Sequence, residues 1–204
     1  MPQQRSEETR AHILDAAVRK FAIAGYDAAS VDDICAEAGV SKGAFYHHFP
    51  TKQAIFLALM QGWLAMIDLG MDATRKDTVP ETLVQMTNLL PGVFATAEDR
   101  PPMFLEFWLQ ASRDETIWKA IIAPYHHYQE HFARLVEDGV AEGSLKPVDS
   151  QVAAQIIVSL AVGLVLQGVL DPHGADWEKT AREGMQILMN GLAKNIPAKS
   201  VASS

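Results

Sequence analysis

Residues 30–52, SVDDICAEAGVSKGAFYHHFPTK, constrain the fold more than any other stretch of the chain. Two helix-periodic runs are separated only by Gly39-Val40, and each is too short to persist alone, since isolated helices below about 12 residues are marginal in water. Ser30 opens the first run, with Asp33 three positions on as an imperfect capping box; Ile34 and Ala38 share its inner face and Gly39 ends it. Ser41 caps the second run, which stops before Pro50. Gly39 supplies the left-handed backbone that redirects the chain, and Val40 is an apolar pin in the turn. In the second run Phe45 and Phe49 are four apart and face inward, so Lys42, Gly43, Tyr46 and His47 lie on other faces. This is the layout of a helix-turn-helix. Its second helix offers a cation (Lys42), two hydrogen-bonding side chains (Tyr46, His47), a backbone bare of side chain (Gly43) and the N-terminal amides behind Ser41. That set suits phosphates and base edges.

The rest of the 204-residue chain reads as helix throughout. Ile13, Ala17 and Phe21 recur at helical spacing in a run from Glu7 to Ala24, with Ser6 as its cap and Gly25 as its stop. Thr51 caps a fourth run, with Ile55, Phe56 and Leu59, that reaches toward Gly70. Further helices are expected near Glu81–Ala95, Pro102–Ala111, Glu115–Glu142, Asp149–Leu170 and Asp176–Lys194, with Pro124 kinking or dividing the third of these. The expected fold is all-α with about nine helices. A three-helix helix-turn-helix domain occupies residues 1–52, a helical domain residues 53–196, and a small, polar, disordered tail residues 197–204.

Charge narrows the function. The formal balance is −8, from 17 Lys and Arg against 25 Asp and Glu; this excludes a uniformly basic coat but not a local positive face. Residues 1–60 carry six basic and seven acidic side chains, so the acidity belongs mainly to the C-terminal part. Arg5, Lys42 and Lys52 flank the aromatic and histidine cluster. The single cysteine, Cys35, excludes an intramolecular disulfide framework and reads as a small core hydrophobe. The polar start MPQQRSEETR lacks the apolar core of a signal peptide, so the expected compartment is the cytoplasm. Residues 152–170 approach the length of a membrane span, yet Gln155, Ser159 and Gln167 interrupt them, and they are expected to form a buried or subunit-interface helix rather than a membrane anchor. Nothing in the chain matches a nucleophile elbow, a phosphate loop or a dinucleotide turn.

The string VSKGAFYHHFPTK, preceded by FAIAGYDAAS at the end of the first helix, resembles the DNA-binding domain of the TetR family of bacterial transcriptional regulators, over about residues 7–56. The resemblance implies a regulator, usually a repressor, that leaves DNA when a small molecule binds. Carried over residue by residue, it makes Ser30 a phosphate-contacting cap. It puts Lys42, Gly43, Ala44, Tyr46 and His47 on the recognition helix and Lys52 on the phosphate-gripping start of the fourth helix. Gln53 departs from the acidic residue that the family often has there.

The resemblance also implies that the C-terminal part binds an effector and a second copy of the chain. Met86, Phe94, Met103, Phe104, Phe107, Trp108, Trp118, Tyr125 and Tyr128 are the candidates to line an effector cavity. They favour a hydrophobic or aromatic small molecule, with Glu106, Gln110, His126, His127, Gln155 and Gln167 as its polar partners. The helices near 149–170 and 176–194 are the candidates for a homodimer. In the first, Ile157 and Leu164 are expected to face the partner; in the second, Ala181, Met185, Leu188, Met189 and Leu192 form a stripe. A two-fold dimer implies a palindromic DNA operator. No cofactor is expected. Two other classes stay open: a metal-dependent enzyme or metal sensor using His126, His127 and His131, whose last two are at ligand spacing, and an interaction module whose apolar helix binds another protein or a membrane.

Overall fold

The computed structural model describes residues 2–90 and 103–194, with backbone alone at positions 2, 3, 103 and 104. Nine α-helices form among these residues: α1 Pro2–Ala28, α2 Val31–Ala38, α3 Lys42–His48, α4 Lys52–Ala73, α5 Val79–Met86, α6 Met103–Ala111, α7 Glu115–Ala141, α8 Ser150–Leu170 and α9 Trp177–Leu192. A 3-10 turn, Thr87–Leu89, follows α5, and an isolated antiparallel bridge joins Leu145 to Ala193. The all-α expectation holds. Phe94 and the expected tail lie outside the described residues, as do the side chains of Met103 and Phe104.

Helix α5 starts at Val79 and gives way at Thr87 to a 3-10 turn, where the sequence reading places a helix near Glu81–Ala95; the start of α1, its end and the course of α7 past Pro124 each have a local reason. Helix α1 starts at Pro2, not Glu7, so Ser6 lies within it; proline is tolerated at a first helical position, Gln3, Gln4 and Arg5 are good helix formers, and Thr9 bonds back to the carbonyl of Arg5 at 2.8 Å. Gly25 does interrupt the helix, at φ 78° and ψ 164°, but helical turns resume to Ala28. Helix α7 is not divided at Pro124. The proline removes one backbone hydrogen bond, while Ile117 before it and Ala133 and Val136 after it are each anchored in a packed core.

The chain packs as two compact units. The first comprises, among the described residues, 2–70 and 103–125. Its core joins Ile13, Ala17 and Phe21 of α1, Ile34 of α2, Phe45 of α3, Ile55, Phe56 and Met60 of α4, Phe107 of α6 and Ile117 of α7. Helices α2 and α3, 8 and 7 residues long, owe their stability to this shared core. Cys35 is buried in it, and burial pushes the thiol up from its ordinary value, away from a reactive thiolate. Helix α6 and the start of α7, assigned to the second domain from sequence, share this core.

The second unit comprises, among the described residues, 71–90 and 126–194. Val79 and Leu83 of α5, Leu135 and Val136 of α7, Leu145 of the connection that follows it, Ala153 and Ile157 of α8, and Met185 and Met189 of α9 form its core. Asp149 and Asp176 cap α8 and α9 as their sequence positions suggested. Glu142 accepts from the Val79 amide at 2.9 Å and from the Ser144 hydroxyl. These bonds, Ser144 first, hold its carboxyl below the usual carboxylate range.

Candidate nucleic-acid interface

The turn between α2 and α3 is built by its caps. The Asp33 amide donates to the Ser30 hydroxyl oxygen at 3.1 Å, and the Ser30 amide donates to Asp33 Oδ2 at 3.1 Å, completing the capping box. The Ser30 hydroxyl also donates to that carboxylate at 2.5 Å. This bond, ahead of the backbone one, holds the Asp33 carboxyl below its ordinary value. Gly39 takes φ 66°, ψ 31°, the left-handed conformation the turn requires. Val40 packs on the first-unit core, and Ser41 Oγ accepts from the Ala44 amide at 3.2 Å.

Helix α3 then splits into two faces. Phe45 and Phe49 are buried with ring centroids 6.1 Å apart, and the Arg10 guanidinium lies 5.2 Å over Phe49. Ser41, Lys42, Gly43, Tyr46 and His47 are exposed, Tyr46 by 52%, and Ala44 is half-buried. A Cβ at Gly43 would meet only Ser41 Oγ, at 3.8 Å. Nothing inside the protein therefore demands glycine there. Lys42 is paired with Asp32 at 2.7 Å, which raises its pKa from the ordinary value. Arg19 and Lys20 both bridge to Glu37, fastening α2 to α1.

Lys52 has a second occupation that its sequence position does not disclose. Its ammonium donates to the carbonyls of Tyr26, Asp27 and Ala29 at 2.7, 3.2 and 3.0 Å, and lies 4.4 Å over the Tyr26 ring. Free carbonyls at the end of a helix attract a cation, and here three are gathered by one. Lys52 thus anchors the corner between α1 and α2, whatever else it touches.

The effector candidates are divided between the two units. Phe107 is a core residue of the first, 5% exposed, with its ring 4.8 Å from Phe56. Trp108 and Trp118 are partly exposed in the same unit, where Tyr125 is half-buried. Glu106 and Gln110 bond to each other there, at 2.9 Å. Met86 packs against the second-unit core, and Tyr128 is half-buried in that unit. His126 and His127 are exposed and His131 half-buried. Among the described residues no three His, Cys, Asp or Glu side chains stand close enough to hold a metal ion.

The apolar helix α8 has two faces of different fate. Ile157 and Leu164, expected to face a partner, are instead buried inside the chain; Ala181, Met185 and Met189 of α9 are buried there too. Helical geometry explains the correction: Ile157 and Leu164 are seven apart and share the stripe that α8 packs on its own unit. The stripe left open is Val152, Ile156, Ser159, Leu166 and Leu170, with Val152 50% and Leu170 67% exposed. On α9, Ile187 is likewise exposed. By length and composition alone, α4 and α8 would both be long and apolar enough to cross a membrane.

Comparison with known proteins places both parts of the chain. Residues 13–59 match the model for bacterial regulatory proteins of the tetR family, and residues 85–194 match the C-terminal domain of BetI-type transcriptional repressors. The A-factor receptor protein of Streptomyces griseus is 26% identical over 94% of this chain, which spans 66% of that protein's length. Two solved structures share the fold. One is a transcriptional regulator from Saccharomonospora viridis in complex with choline, 22% identical at a TM-score of 0.78, covering 92% of this chain and 99% of that one. The other is a TetR regulator from Chloroflexus aurantiacus, 19% identical at a TM-score of 0.78, covering 93% and 98%.

Proposed function

The chain belongs to the TetR family of bacterial transcriptional regulators, and we propose that it is a cytoplasmic, homodimeric repressor that leaves a palindromic operator when a small molecule binds. Regulators of this family bind DNA operators and small-molecule effectors, typically as dimers. The observation that carries the DNA-binding reading is the outer face of α3. An exposed glycine with no internal reason to be glycine lies beside an exposed tyrosine, an exposed histidine and a capped helix N-terminus. Glycine, here in the first turn of α3, favours a helix less than any other residue but proline, so its use is explained by the close approach of a partner. A DNA backbone or base edge is that partner.

Gly43→Ala separates the two roles. Folding stability is expected to stay level or rise, by up to about 1 kcal/mol, because alanine favours helix. Affinity for the operator is expected to fall, as it is for Tyr46→Ala, by roughly 1–3 kcal/mol in a base-edge contact. Chemical denaturation and titration of a DNA duplex read the two quantities side by side. A Gly43→Ala protein that binds DNA as tightly as its parent would place the partner elsewhere.

For the effector, the aromatic side chains of the α6–α7 sequence support an apolar or aromatic compound. A cationic effector is the second reading. Oδ1 of Asp68 on α4 is buried with no hydrogen-bond partner among the described residues, and such an oxygen is costly unless something compensates it. A bound cation would do so, and a regulator of the same fold was solved in complex with choline. Aromatic acids, acyl-thioesters, cationic dyes and choline can be titrated against the DNA complex. Release by the cations, abolished in Asp68→Asn, is the result expected of the cationic reading. Release by the neutral or acidic compounds alone, unaffected by that substitution, rejects it.

A further inference from the structure

Resting on the regulator reading above, we propose that Glu106 is a positioning residue that ties α6 to the elbow between α1 and α2 and thereby sets the DNA-binding posture of the helix-turn-helix. The elbow is made by Gly25. At φ 78° and ψ 164° its backbone leaves helical geometry, in a region that only glycine occupies without strain. The break leaves polar groups to be satisfied from outside the helix. The Tyr26 amide donates to Glu106 Oε1 at 3.2 Å. That same carboxylate oxygen accepts from Gln110 Nε2 at 2.9 Å, and Gln110 is itself only 5% exposed. A buried amide is thus used to aim a carboxylate at one backbone N–H.

The other groups of the elbow are held from α4, where Lys52 gathers the carbonyls of Tyr26, Asp27 and Ala29. The corner between α6 and α7 also reaches both flanks of the α2–α3 pair. Arg113 lies 3.5 Å from Asp27 at the end of α1. Gln53 at the start of α4 donates to Asp114 Oδ2 at 3.0 Å, while Asp114 Oδ1 accepts from the amides of Thr116 and Ile117 and so caps α7. Of these links, Glu106 is the half-buried carboxylate aimed at the backbone where the chain turns. Four residues on stands Ser30, the cap from which α2 departs.

The consequence is mechanical. Phe107, next to Glu106, is wedged against Phe56 in the same core, so the two side chains move only with α6. Hydrogen bonds weaken steeply as they lengthen or bend, and a shift of α6 by about one ångström removes the acceptor from Tyr26. The elbow then keeps its lysine and loses its carboxylate, and the glycine is free to take another conformation.

The test uses the full chain and a DNA duplex that the unaltered protein has itself selected from a random pool. Glu106→Ala, Glu106→Gln and, as a control that thins the same core, Ile117→Val are compared at a temperature where each retains full helicity. In Glu106→Ala, hydrogen exchange at the Tyr26 amide is expected to speed up, and duplex affinity to fall, each by about tenfold or more, the size of a hydrogen bond to a charged group. Glu106→Gln keeps an acceptor and is expected to stay within about threefold of the parent, and Ile117→Val to match it. If Glu106→Ala does not fold, Gly25→Ala attacks the elbow from the other side. A Cβ there has room, 4.0 Å from Glu106 Oε2, so only the backbone is strained, and the same loss of affinity is expected. Parent-like duplex affinity in Glu106→Ala, or in Gly25→Ala where that variant stands in, or an equal loss in Ile117→Val, overturns the proposal alone. A parent that selects no duplex overturns the regulator reading and the proposal with it.

Discussion

Phe107→Ala is expected to destabilise the protein by roughly 3–5 kcal/mol, the usual cost of emptying a buried aromatic site, and to lower the thermal midpoint by about 10 °C. From sequence this residue reads as part of an effector cavity, whose loss would spare the unliganded protein. Its surroundings point the other way. Its ring packs edge-on against Phe56, which touches Tyr26 at 4.6 Å and Phe21 at 5.9 Å. This aromatic chain runs from α6 through α4 into α1, and it is rigid because every member has neighbours on several sides. Removing one end leaves a void that rigid rings cannot close, so the cost falls at the high end of large-to-small substitutions. Thermal unfolding followed by circular dichroism measures it. A midpoint within two degrees of the parent would mean that the site collapses and that Phe107 is not a member of the core. Trp108, one residue on and 40% exposed, is expected to tolerate alanine with a far smaller loss.

That contrast shows what the sequence could and could not disclose. The helix-turn-helix was legible because its residues act locally. Ser30, Gly39 and Ser41 do their work on backbone atoms within four positions, and Phe45 and Phe49 follow from spacing alone. The break at Gly25 and the starts of α8 and α9 near Asp149 and Asp176 were legible for the same reason, although Gly25 reads as a stop and the helix resumes beyond it to Ala28. Partners distant in sequence were not. Lys52 fits a phosphate-gripping position by register, yet its three carbonyl acceptors lie 23 to 26 residues away, and no periodicity signals them. Glu106 and Tyr26 are 80 residues apart. On α8 the residues are apolar nearly all round, so helical period gave no phase, and Ile157 was assigned outward when the fold turns it inward. The assignment of the aromatic set to two packed units is of the same kind, since composition gives no unit membership.

Ile156→Glu is expected to weaken self-association by about three orders of magnitude, because an unpaired charge desolvated in an apolar interface costs roughly 3–5 kcal/mol. Neighbouring positions on α8 make the experiment decisive. Val152, Ile156, Ser159, Gly163, Leu166 and Leu170 recur at intervals of four and three, the seam by which helices pack at shallow crossing angles in bundles. Ile156 is 49% exposed and Leu170 67%, a continuous apolar strip that a lone chain would have to leave in water. Gly163, half-buried with no atom within 4 Å of a built Cβ, leaves room for a second helix to come close. Ile187 of α9 is exposed as well, which gives a partner two helices to engage. Because Ile156 takes no part in its own core, the variant is expected to stay helical and sediment as a monomer at micromolar concentration. Ile157→Glu, one position along and 1% exposed, buries its charge within the chain and is expected to unfold it instead. A folded dimer in Ile156→Glu would remove this face of α8 from the interface. On the palindromic operator proposed above, a folded monomer is also expected to bind DNA far more weakly, since one recognition helix would then grip where two half-sites about 34 Å apart call for two.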